Sequence, residues 1–198
     1  MNPGPLPATD TLLPAPGWAA LLAHFYARAQ LPMIRLQRMT GSEVPQPYRS
    51  LLVHSLDMTP TLEKFFRQPL ELRALARELQ DAAYLREVTL NLKERAKPVA
   101  YGVIRIFHDH FPASARRLIL AEKEPLGGIL RSESIAHIGW PQAFFRAESD
   151  ARMALVLGLR RPGWLYGRRN LLLDGSRQVL ADVIEVLAPV DLPTRVSE

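Results

Sequence analysis

Apolar and polar positions alternate along this chain with two different periods, and the change of period marks its elements. From Trp18 to Gln30 the apolar residues recur at helical spacing, with Leu21, Leu22, Phe25 and Tyr26 on one side. Residues 41–50 (GSEVPQPYRS) have the composition of a connection. Thr59 followed by Pro60 suits a helix start, because proline presets a helical φ and lacks only an N–H that the first turn does not use. Pro69 ends that helix. A second helix is predicted from Leu70 to about Ala82, with Leu72, Leu75, Ala76 and Leu79 facing inward.

At Tyr84 the period drops to two. Tyr84, Arg86, Val88, Leu90 and Leu92 share one face, and Leu85, Glu87, Thr89, Asn91 and Lys93 the other. The first set is apolar apart from Arg86, and the second polar apart from Leu85, which predicts a half-buried strand. A short polar loop and the β-branched, aromatic run PVAYGVIRIF complete a hairpin. PASARRLILAEKEPLGGIL predicts a short helix, a turn and a glycine-containing segment. Residues 131–160 have room for a helix and a strand. WLYGRRNLLL and RQVLADVIEVLAPV, joined through Asp174-Gly175-Ser176, predict a second hairpin, closed by Pro189. The fold class expected is α+β: a single domain with a mainly antiparallel sheet built from hairpins and flanked by several helices.

The chain has 198 residues, 47% apolar and 23% charged, enough for one domain. Residues 1–17 hold five prolines and few charges, and read as a disordered arm; the domain is expected over 18–192, with a polar tail over 193–198. The arm lacks the basic start of a secretory signal, and no run approaches the roughly 18 apolar residues of a membrane span, so a cytoplasmic location is expected. There is no cysteine, which excludes disulfides, thiolate ligands and a cysteine nucleophile. The net charge is +5, but the arginines are scattered and form no basic block. A small anionic partner therefore fits better than nucleic acid.

The informative residues are charges on the wrong face. Arg86 interrupts an apolar face. Glu185 sits among Val179, Ala181, Val183 and Leu187, which share its side of the last strand. Adjacent strand residues point to opposite faces, so one of Arg168 and Arg169 also points inward. A two-residue hairpin loop places Arg168 on the face of Glu185, and a three-residue loop places Arg169 there. A structural ion pair accounts for two of these charges and leaves an arginine over. Arginine grips a carboxylate bidentately, so a carboxylate-binding pocket is expected, with Glu185 facing a hydroxyl or a proton-bearing atom.

The same residues carry a resemblance. Asp57-Met58-Thr59 at a helix start, Leu85-Arg86-Glu87 opening a strand, Pro125-Leu126-Gly127, the stretch Trp164 to Asn170 (WLYGRRN), and Glu185 four residues before Pro189 occur in the order of the matching motifs of the chorismate pyruvate-lyases. Over roughly residues 50–190 the chain resembles that family and the chorismate-lyase-like fold. The resemblance implies conversion of chorismate to 4-hydroxybenzoate and pyruvate, a step toward ubiquinone, with no cofactor and no metal. It implies catalytic roles for Arg86 and Glu185 and substrate contacts from Met58 and the backbone of Leu126, with Gly127 allowing close approach. Arg168 or Arg169 would add positive potential. The sequence departs from the family at Asn170, where the family has Ser, and in the longer stretch from Leu130 to Trp164. The fold class also includes the ligand-sensing halves of GntR-type regulators, although nothing before residue 50 resembles a complete winged helix-turn-helix. A binding domain for a small aromatic acid, or an enzyme on a related anion, is the alternative. His108-Asp109-His110 offers no identifiable third metal ligand, and neither a nucleophile elbow nor a phosphate loop occurs.

Overall fold

β3 (Tyr84–Leu92) and β4 (Lys97–Ile106) form the first predicted hairpin, and the rest of the sheet extends from it in the computed structural model, which describes residues 17–190. The expected tail and all of the expected arm but Gly17 lie outside the described residues. Gly17 opens a 3-10 turn leading into α1 (Ala20–Arg28), whose Leu21, Leu22, Phe25 and Tyr26 are buried as the periodicity predicts. Seven strands make one antiparallel sheet in the order β1 (Leu36–Met39), β5 (Ile138–Glu148), β6 (Trp164–Leu173), β7 (Val179–Leu187), β4, β3 and β2 (Leu70–Leu79). The expected α+β single domain is what forms.

Two expectations are corrected. Leu70–Leu79 is a strand, not a helix. LELRA alternates, but a bulge between Ala74 and Ala76 shifts the alternation, so the whole segment never shows period two. Its leucines, alanines and glutamates are good helix formers, and pairing along nearly all of β3 overrides them. The second correction concerns β3, which is buried on both faces. Glu87 is 0% exposed and Thr89 1%. In addition, α2 (Tyr48–Leu52) begins inside the stretch read as a connection.

The reason is a three-layer arrangement. On one side α1 and α6 (Ala151–Val156) pack on Leu85, Tyr101, Val103, Phe145, Ile184 and Val186. There Arg152 of α6 forks onto both Glu87 oxygens, and Tyr101 Oη donates to Glu87 Oε1 at 2.5 Å. On the other side α4 (Ala113–Ala121) and α5 (Leu126–Ser132) cover Ile104, Ile106, Leu172 and Ala181. Beside them α2 and α3 (Met58–Phe66) cover Leu92, Ala100 and Leu187. These last two clusters share a face of the sheet but are separate, and a cavity lies between them.

Candidate functional site

The floor of the cavity is the sheet. Register aligns two cross-sheet rows: Arg86, Ile104, Val183 and Asn170 in one, and Val88, Gly102, Glu185 and Arg168 in the next. Backbones of neighbouring strands lie about 4.8 Å apart and rows two residues apart are offset by about 7 Å, so Arg86 on β3 and Glu185 on β7 start roughly 12 Å apart, with β4 between. Gly102 puts no side chain into that gap. The roof is made of Asp57, Met58 and Thr59 at the start of α3 and Pro125, Leu126 and Gly127 at the start of α5. The space inside measures about 80 Å³ for the centres of water-sized molecules. At about 10–15 Å³ per water it holds a handful of waters, or one small organic molecule.

Met58, Arg86, Leu126, Gly127, Arg168 and Glu185 all line this one cavity. Arg169 does not, which corrects its place among the expected pocket residues. Its side chain turns to the opposite face and forks onto Asp182, with both bonds at 2.9 Å. The hairpin register decides this: Arg168 stands directly opposite Glu185. The turn itself runs over residues 174–178, where Asp174 Oδ1 accepts from the amides of Ser176 and Gln178. It is longer than either loop considered, and a bulge between Leu172 and Leu173 resets the pairing.

The three inward charges have different fates. Arg168 is 0% exposed and fully engaged. Its Nε donates to Glu185 Oε2 at 2.8 Å, Nη1 to the carbonyls of Leu52 and His54, and Nη2 to the carbonyl of Leu56. It thereby holds the loop that delivers Met58 to the roof. Gly139 of β5 makes room for that loop, since a Cβ there would stand 2.3 Å from Ser55 O. His54 belongs to the same knot. Its Nε2–H donates to Leu51 O, and its Nδ1 accepts from Leu56 N, with Arg168 Nη1 3.3 Å away. Burial, then the Arg168 charge, lowers its pKa below the ordinary histidine value.

Glu185 gives Oε2 to Arg168 and keeps Oε1 without a partner among the described residues. Arg86 is the residue left over. It is 1% exposed, and its Nε and Nη1 are buried with no hydrogen-bond partner among the described residues. Burial pushes its pKa down to about 10, so it remains a cation at neutral pH. A buried charge lacking its partner costs about 3–5 kcal/mol. The adjoining strand gives no relief: its pairing partner on β2 is Arg77, another cation.

Three contributors escaped the sequence reading. Asp57 was noted only as part of a motif. Both its oxygens take hydrogen bonds from His137 Nε2, at 2.9 and 3.0 Å, while His137 Nδ1 donates to Ile135 O. This pair ties the start of α3 to the segment after α5. Gly102 carried no signal, because its role is an empty volume. Asn170 shares the parity of Arg168 and lines the cavity with its Oδ1 buried and unpartnered. The sequence showed it only as a departure from a motif. His108–His110 forms a 3-10 turn with His110 on Val179 O, and no third ligating group gathers there among the described residues.

No protein-family model and no curated protein matches the sequence. Solved structures do. PhnF from Mycobacterium smegmatis is 14% identical over 69% of this chain and 65% of its own, with a TM-score of 0.51. The separate effector domain of PhnF is 15% identical over 66% of this chain and 87% of its own, at 0.50. The ligand-binding domain of a protein assigned to the GntR-family transcriptional regulators, from Bordetella bronchiseptica, is 15% identical over 65% of this chain and 92% of its own, at 0.49. The chain shares the fold of the PhnF effector domain. At such identities the likeness is one of fold alone. Among the described residues no helix is long and apolar enough to cross a membrane.

Proposed function

We propose that the chain is a ligand-binding domain whose cavity takes a small carboxylate. The observation that carries this is Arg86: a buried guanidinium lining an organic-sized cavity, with two nitrogens unpaired among the described residues. Arginine meets a carboxylate with two parallel N–H···O bonds, which would offset the burial cost that the protein leaves unpaid. The amides of Leu126 and Gly127 precede the first backbone bonds of α5, which run from Gly128 and Ile129 to Pro125 O, and they add donors on the roof. A related fold serves as the effector domain of PhnF, which supports binding as the use of such a cavity. Calorimetry with a series of substituted benzoates tests the proposal. Binding by the intact protein and its loss in Arg86→Met are expected. A folded protein that binds no member of the series would overturn it.

A second reading is lyase activity on chorismate. It is favoured by one observation: Arg86, Glu185, Met58 and Leu126, brought together by the resemblance, line a single cavity. Arg86 would hold a carboxylate and Glu185 Oε1 would accept a hydrogen bond from the ring hydroxyl, while the ether C–O bond breaks and the hydrogen on the hydroxyl-bearing ring carbon passes to the departing enolpyruvyl group, giving pyruvate and the aromatic ring. Incubation with chorismate should then yield 4-hydroxybenzoate and pyruvate above the spontaneous rate, with loss in Arg86→Ala and Glu185→Gln. No product from folded protein rejects this reading and leaves the binding one standing.

A further inference from the structure

The polar groups of the cavity lining that lack a partner among the described residues can be matched to the ligand atoms they require. Arg86 supplies donors at one side. At the other side stand two acceptors, Glu185 Oε1 and Asn170 Oδ1. Asn170 is 2% exposed, and its Oδ1 is buried with no hydrogen-bond partner among the described residues. The two residues are neighbours on the floor. Asn170 pairs with Val183, two residues along β7 from Glu185, and such diagonal neighbours lie about 7–8 Å apart at the backbone. Their short side chains point to the same side of the sheet. Among the other polar groups of the lining, His137 takes both Asp57 oxygens and Arg168 is spent on Glu185 Oε2 and the 52–56 loop, while the Thr59 hydroxyl stands on the roof and Asn170 Nδ2 lies on the Gly139 side.

A hydroxyl has one hydrogen to donate, so it satisfies one acceptor and leaves the other without a donor. An amino group has two or more. We infer that the ligand is an amino carboxylate, its carboxylate on Arg86 and its nitrogen shared between Glu185 Oε1 and Asn170 Oδ1, and that Asn170 is the residue that selects amine over hydroxyl. The inference rests on the carboxylate-binding reading and narrows its ligand class. A cationic amine gains further from the Glu185 charge. The acceptor left unpaired by a hydroxyl costs on the order of five- to a hundredfold in affinity.

The test is calorimetric titration with matched probes: 3- and 4-aminobenzoate, 3- and 4-hydroxybenzoate, and benzoate. The wild type, Asn170→Ser and Asn170→Leu are compared, with Arg86→Met as the control for carboxylate binding. The expected result is at least one amino probe binding roughly tenfold or more tighter than its hydroxy counterpart, with that ratio falling toward one in Asn170→Leu. Asn170→Ser, which keeps a small polar side chain, guards against a packing effect in the leucine variant and should also lower the ratio. Hydroxy probes binding as tightly as amino probes, while Arg86→Met abolishes both, would overturn this inference and leave the carboxylate reading intact. An amine preference unchanged in both Asn170 variants would also overturn it. If no probe binds the folded wild type, the carboxylate reading fails and this inference falls with it.

Discussion

Arg168 and Glu185 stand directly opposite each other on β6 and β7, joined by a 2.8 Å hydrogen bond, while Arg86 across the floor has no such companion among the described residues. The two buried arginines therefore have opposite energetic roles. Arg168→Met would strand Glu185 and the carbonyls of Leu52, His54 and Leu56. It should cost about 3–5 kcal/mol, read as a lowered midpoint in urea unfolding.

Arg86→Met removes a charge that nothing in the described structure neutralises. Without ligand, this variant should be as stable as the parent or more so, while carboxylate binding is lost. Ligand-site residues are held against stability, and thermal denaturation with and without added carboxylate shows it. A fall in stability comparable to that of Arg168→Met would show that Arg86 is a structural residue instead.

Gly102 is where the cavity can be filled from the protein's side. A Cβ there meets Ile184 O and a Val88 methyl at 3.6 Å, an ordinary contact, so the backbone tolerates a side chain. Gly102→Val should fold, since valine suits a strand, yet project its methyls into the floor between Arg86 and Glu185. Carboxylate affinity is expected to fall at least tenfold, on the order of 1.4 kcal/mol or more, with circular dichroism unchanged.

His137 makes the roof sensitive to pH. Its pKa is raised, chiefly by the hydrogen bond to Asp57 and against the effect of burial. A group whose folded pKa exceeds its unfolded value of about 6.5 contributes fully below that value, and the contribution disappears as pH rises through the folded pKa. The melting temperature of the parent should therefore exceed that of Asp57→Asn most at pH 5.5, with the gap closing toward pH 8.5. A constant gap would mean that the pair carries no linked proton.

Much of this site was legible because it broke a rule. Arg86 and Glu185 stood out as charges in otherwise apolar period-two faces, and two charges of that kind were enough to locate the cavity. Glu87 did not stand out. It lay on a face that looked solvent-exposed, and its partner Arg152 is 65 residues away in a stretch whose elements the pattern did not resolve. Asp57 and His137, 80 residues apart, were hidden for the same reason. The strand β2 was misread because its bulge breaks the alternation that identifies a strand, and helix-forming residues filled the gap in the signal. Local patterning reveals what a residue does to its own strand. It is silent about partners supplied by distant loops.

The Glu87–Arg152 fork provides the matching control. It is buried on the side of the sheet away from the cavity, so Arg152→Ala should destabilise the fold by about 3–5 kcal/mol. At temperatures where the variant remains folded, its affinity for carboxylates should equal the parent's. A change in affinity would show that the two faces are coupled through β3.

The division of the pocket-side layer has a consequence for how the domain holds together. Two apolar clusters rest on one face of the sheet, each with its own pair of helices, and the cavity keeps them apart. An occupant touching Val88, Ile104, Val183 and the starts of α3 and α5 would act as a keystone, adding to the Asp57–His137 tie between the two halves. Amide exchange in α3 and α5 would then slow in concert when the cavity is filled.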